Sequence, residues 1–211
     1  MFRNLFRPDS PLMIVMSQIT DCIFLSLFWI LGCFPVVTVG ASFAALYDAS
    51  YRGFRKGEKH SWQRFVHVFR QNWRDGIVPT LLFLIILLTL GRVLIELWNR
   101  AVYAQISWMV FSGTAFLAVV VLGALSILFP LLSRFDTGAG MLLKNAFLLA
   151  LIHLPRTVCL GVLNAAAAFL CVRYVFPLFF LPSLAALLGS LLIEPMFKPY
   201  MPEEEEKMPL E

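Results

Sequence analysis

The chain has 211 residues, of which 60% are hydrophobic and only 14% charged, with a mean hydropathy of +0.81. A soluble domain carries about 25% charged and 45–50% apolar residues, so the composition excludes an ordinary water-soluble globule. The net charge of +4 sits beside apolar runs, where it orients membrane proteins, and no nucleic-acid partner is expected.

Long apolar stretches run through 77–91 and 108–132, and about 20 such residues span a hydrocarbon core about 30 Å thick. The expectation is an all-α, polytopic transmembrane bundle: one membrane-embedded domain over 1–201, then an acidic, disordered tail at 202–211. Cys22, Cys33, Cys159 and Cys171 all lie in apolar segments without metal-ligand spacing and read as small buried hydrophobes. No metal and no cofactor is expected.

From residue 12 to 51 the chain is almost continuously apolar. A single helix of that length would reach about 60 Å, roughly twice the hydrocarbon core. Pro35 supplies a break, because it removes a backbone donor and drives Phe34 out of the helical region. Thr38 then reads as the N-cap of a second helix that begins with the small residues Gly40 and Ala41. "TVGAS" resembles a signal-peptide cleavage site, but the long charged lead-in with Pro8 and Pro11 favours a retained first span.

Charge decides how these runs are counted. Six crossings, near 17–34, 38–57, 77–98, 108–132, 157–176 and 178–197, are favoured. They place 14 of the 17 Lys and Arg residues on the cytoplasmic side together with both termini. The alternative has five crossings, with 17–47 as one tilted, protruding span. Under the favoured count 36–51 is short for a crossing and carries Asp48, so it either snorkels its flanking cations or is re-entrant and covered by protein.

Residues 60–75, "HSWQRFVHVFRQNWRD", alternate aromatic and basic positions at helical spacing. Trp62, Phe65, Phe69 and Trp73 define one face, with Arg64, Arg70 and Arg74 between them. This predicts a basic amphipathic helix in the inner interface, with its aromatic face in the acyl boundary and its arginines at anionic headgroups. Docking to a cytoplasmic partner is the other reading. The second inner connection, 133–157, turns at Gly138 and Gly140 into an apolar helix. Lys144 is an isolated charge on that helix and Pro155 stops it.

Charges inside a bilayer are costly and raise a functional question. Arg92 and Glu96 are spaced for a local pair. Asp48 can pair with Arg52, Asn164 can bond to a neighbouring helix, and Gly161/Ala165 has the spacing of close helix packing. Together Asp21, Asp48 and Asn164 form a candidate intramembrane polar site. The chain shows no P-loop, HExxH or GxSxG pattern, so no catalytic residue is assigned and no enzyme is expected.

The stretch "LFWILGCFPVVTVGASFAALYDA" resembles the signature of the YesL-like family of small bacterial membrane proteins. The matching positions are Trp29, Pro35, Thr38, Gly40, Ala41, Ala44, Ala45, Leu46 and Tyr47. The likeness continues through Phe65, Phe69, Asn72 and Trp73, and through "LLKNAFLLALIHLPRT". Ser26 departs from it, standing where an Asn is expected. The resemblance implies a multi-pass protein of the bacterial plasma membrane that is associated with carbohydrate ABC import. On that footing the expected function is a non-enzymatic accessory, with an anionic inner leaflet and ABC permease subunits as partners. The alternative is a small homo-oligomeric transporter or channel with a polar path near Asp48 and Asn164.

Overall fold

The computed structural model describes residues 11–57, 61–103, 107–134 and 138–200. The acidic tail and the first ten residues, with Arg3 and Arg7, lie outside the described residues. Eight helices make up the described chain: α1 (Pro11–Cys33), α2 (Val39–Ser50), α3 (Ser61–Asn72), α4 (Ile77–Val102), α5 (Trp108–Leu132), α6 (Ala139–Ile152), α7 (Leu154–Arg173) and α8 (Leu181–Phe197). Five of them, α1, α4, α5, α7 and α8, are long and apolar enough to cross a membrane. This is the expected all-α polytopic bundle of a multi-pass membrane protein.

The break at Pro35 occurs as the sequence predicts, with Pro35 in extended backbone at φ −78° and ψ 112°. Thr38, however, does not cap α2 with its side chain. Its hydroxyl points back to the carbonyls of Gly32 (2.7 Å) and Pro35 (2.8 Å). It therefore serves the end of α1, where carbonyls lack helical partners. The first turn of α2 is capped from elsewhere: the Gly40 N–H donates to Thr80 Oγ1 of α4 at 2.8 Å, and that hydroxyl donates to the Gly76 carbonyl at 2.5 Å. Gly40 has to be glycine, because a Cβ there would collide with Thr80 Oγ1 and stand 3.0 Å from the Phe129 ring.

The sixth expected crossing, 38–57, is not among the five long apolar helices. At 12 residues, α2 is about 18 Å long, well short of the hydrocarbon core. Ala41, Ser42 and every residue from Ala44 to Ser50 are buried, and the helix packs against α1, α3, α4, α5 and α8. Small residues make this possible, since Ala, Ser and Gly let five neighbours approach one short helix.

α3 is packed into the bundle along one side. It runs back antiparallel along α2: Ser61 abuts Gly53, Arg64 meets Asp48, and Gly76 lies against Ala41. The α2–α3 hairpin therefore returns the chain to the level at which α2 began. The turn uses Gly57 at φ +70°, a left-handed conformation that L side chains rarely adopt. Phe65 and Val68 of α3 face inward. Phe65 is 3% exposed, Val68 is buried with it, and Phe65 packs 6.0 Å from the Phe28 ring of α1. An apolar stripe at helical spacing has the same pattern whether it meets lipid or two other helices.

The larger core joins α2, α5, α6 and α8 through Tyr47, Ile127, Leu128, Leu149, Ile193 and Phe197. α5 and α7 come closest at two glycines. A Cβ on Gly123 would strike the Thr157 carbonyl, and one on Gly161 would strike the Val119 carbonyl. Asn164 bonds across this contact to Ser126 Oγ at 3.1 Å, as its amide chemistry suggested. Ser26 is fully buried. Its hydroxyl accepts from the Ser183 N–H at 3.4 Å, while Ser183 Oγ donates to the Cys22 carbonyl at 3.0 Å, so α1 is tied to the start of α8. In α4, Glu96 pairs with Arg100 at 2.8 Å, where the sequence suggested Arg92.

Candidate functional site

The densest polar chemistry lies where the C-terminal ends of α2, α5 and α8 meet the first half of α3. Beyond Ser50, α2 continues as a single wide π-turn over Tyr51–Arg55, a geometry found mostly as short insertions and frequently at functional sites. α2 and this turn supply Tyr47, Asp48, Tyr51, Arg52 and Arg55. α3 adds Arg64, the end of α5 leads to Arg134, and α8 contributes Ser190 and Glu194.

Two carboxylates anchor the cluster. Asp48 is 1% exposed and is met by Arg64 Nε at 2.5 Å and Arg52 Nε at 3.3 Å. A charge that deep persists only when paired and hydrogen-bonded, and here two guanidiniums supply the pairing. Glu194 accepts from the Tyr47 hydroxyl at 2.9 Å and takes Arg134 in a two-pronged pair, Nη1 to Oε2 at 3.1 Å and Nη2 to Oε1. Such fork-to-fork contacts are the strong, orientation-fixing kind. Burial works against the charge on Arg134, but Tyr47 and Glu194 outweigh it and raise its pKa above the ordinary value.

Cations also gather on aromatic faces. Around the Tyr51 ring stand Arg134 (4.8 Å), Arg55 (5.4 Å) and Lys56 (5.7 Å). Arg134 also lies 5.8 Å from the Phe197 ring. Arg55 is fixed by a hydrogen bond from Nη1 to the Ser190 carbonyl at 3.3 Å. Arg52, Arg55, Lys56, Arg64 and Arg134 thus surround two carboxylates, and the end of the hairpin is electropositive.

Of the residues expected to form a polar path, Asp48 belongs to this cluster. Asn164 is engaged on α5 and α7 by Ser126 and by the Leu160 carbonyl at 2.9 Å. Asp21, half-buried, lies on α1. Asp48 and Asn164 are thus met by separate partners, and each is already bonded.

The expected interface residues of α3 divide between two faces. Phe65 is inside, Phe69 is half-buried, and Arg64 turns to Asp48. Trp62 (48% exposed), Trp73 (46% exposed), Arg70 and Arg74 face outward, with the Arg74 guanidinium 5.2 Å over the Trp73 ring. Lys144 is exposed on α6, and exposed Pro155 opens α7 just after the bend at His153.

Sequence reasoning left Arg134, Glu194, Tyr47 and Tyr51 out of the candidate site. The available signal was that Glu194 and Arg134 are lone charges at the edges of apolar runs. Their separation of 60 residues follows no local rule that would pair them.

No curated protein and no solved structure matches the chain. Residues 22–92, which run from α1 through the α2–α3 hairpin into α4 and include Asp48, Arg52, Arg55, Lys56 and Arg64, match DUF624, a protein family of unknown function.

Proposed function

We propose that this chain is a non-enzymatic accessory protein of the bacterial plasma membrane that docks on a carbohydrate ABC importer. The observation that carries a docking role is the two-sided build of α3. Its inner face is locked to α1 and α2 by Phe65, Val68 and the Arg64–Asp48 pair. Its outer face holds Trp62, His67 and Arg70 in the open, and the turn that follows adds exposed Trp73 and Arg74. Aromatic residues and arginine are enriched where proteins bind one another, and a rigidly held helix presents them with little ordering cost.

The importer as partner, and the bacterial membrane, rest on the likeness of residues 29–47 to the YesL-like signature. Purification from native membranes tests both. The permease subunits should co-purify with the wild-type chain and be lost when Trp62→Ala and Arg70→Glu are combined. Recovery of the chain alone, with sugar uptake unchanged after its deletion, rejects the reading.

A further inference from the structure

The cationic ring around Tyr51 lies beside an apolar cleft. The cleft, of about 200 Å³, lies between α5, α6 and the end of α8; its lining includes Leu131, Leu142, Leu149, Ile152 and Phe197, with Asn145 as its one amide. Phe197 is the shared wall: it faces the cleft and also lies 5.8 Å from the Arg134 guanidinium. Arg134 in turn stands 4.8 Å from the Tyr51 ring, on which Arg55 and Lys56 also converge. Cations and an apolar slot are therefore neighbours across two aromatic rings.

We propose that this is a binding site for one anionic phospholipid, with its phosphate at Arg55 and Lys56 and an acyl chain in the cleft. The inference rests on the chain being a membrane protein and is independent of the docking partner. Like charges crowded on one ring repel, and an incoming phosphate relieves that repulsion. Arg134 is held in a two-pronged pair by Glu194, so Arg55 and Lys56, both exposed, are the cations that meet the headgroup. Arg55 is preset by the Ser190 carbonyl. A guanidinium carries five N–H donors, so this one contact leaves it capable of a phosphate contact as well. Basic pockets between membrane helices are the kind of site that takes anionic headgroups, and the adjoining apolar slot distinguishes a lipid from a free anion.

Native mass spectrometry of the purified full-length chain tests this, using phosphatidylglycerol, phosphatidylcholine and inorganic phosphate as probes. Phosphatidylglycerol should be retained at least about tenfold better than phosphatidylcholine. Combining Arg55→Gln with Lys56→Gln should abolish that preference, with an unchanged melting temperature in detergent reporting an intact fold. Filling the cleft from its exposed side with Ile152→Trp should reduce phosphatidylglycerol retention several-fold. Equal retention of both lipids by the wild type overturns the proposal. So does unchanged preference in the Arg55/Lys56 variant, or retention of inorganic phosphate as strong as that of phosphatidylglycerol.

Discussion

Arg64 of α3 meets Asp48 of α2 through a contact of 2.5 Å, and this pair closes the hairpin over a carboxylate that is 1% exposed. Removing the negative charge leaves Arg52 and Arg64 facing each other without their shared counterion. Asp48→Asn is therefore expected to destabilise the protein by about 3 kcal/mol, within the range for breaking one partner of a buried pair. Arg64→Gln should cost less, because Arg52 still contacts Asp48. Thermal unfolding in detergent, compared across the two single variants and the double, checks the order.

The return of α3 along α2 makes a prediction that a hairpin spanning the bilayer does not. A Cβ at position 76 would stand 3.5 Å from the Cβ of Ala41, at the short end of disulfide geometry. In a background lacking the four native cysteines, A41C combined with G76C should cross-link under mild oxidation. The Asn72 carbonyl, 2.8 Å from the added Cβ, must shift slightly, so partial yield is expected. With α3 lying in the opposite interface the two positions would be a membrane apart, and no cross-link would form.

Thr80 joins two backbone groups of the hairpin. Thr80→Val keeps the shape but removes both hydrogen bonds, leaving the buried Gly40 N–H without its acceptor. A cost of about 1–3 kcal/mol is expected, with Thr80→Ser close to wild type. Comparison of melting temperatures for the two variants settles it, and equal losses would argue against the cap.

At the α5–α7 contact, shape should outweigh polarity. Gly161→Val forces a side chain into the Val119 carbonyl and is expected to cost about 3 kcal/mol. Asn164→Leu removes one hydrogen bond to Ser126 and should cost about 1 kcal/mol, the usual scale for such bonds in membranes. Unfolding in mixed micelles reads both, and the reverse order would contradict this account of the crossing.

The sequence made the helical bundle and the turn at Pro35 legible, because hydropathy and proline act locally. It also marked Asp48 and Asn164 as residues that need partners. The course of α3 was not legible, since Phe65, Val68 and Phe69 satisfy the same periodicity against lipid as against α1 and α2. Nor was the role of Thr38: a hydroxyl three residues past a proline can serve the helix behind it as readily as the one ahead. The site around Tyr51 depends on the ends of three helices converging, which no single window of residues records.

The cap on α2 has a consequence for how the protein is made. The acceptor for the Gly40 amide is a hydroxyl 40 residues downstream, and the helix it caps is too short to lodge in a bilayer unaided. During synthesis, therefore, the Gly40 amide stays without this cap until the start of α4 has left the ribosome. The hairpin from Pro35 to Gly76 therefore gains its last hydrogen bonds only when Thr80 follows it into place.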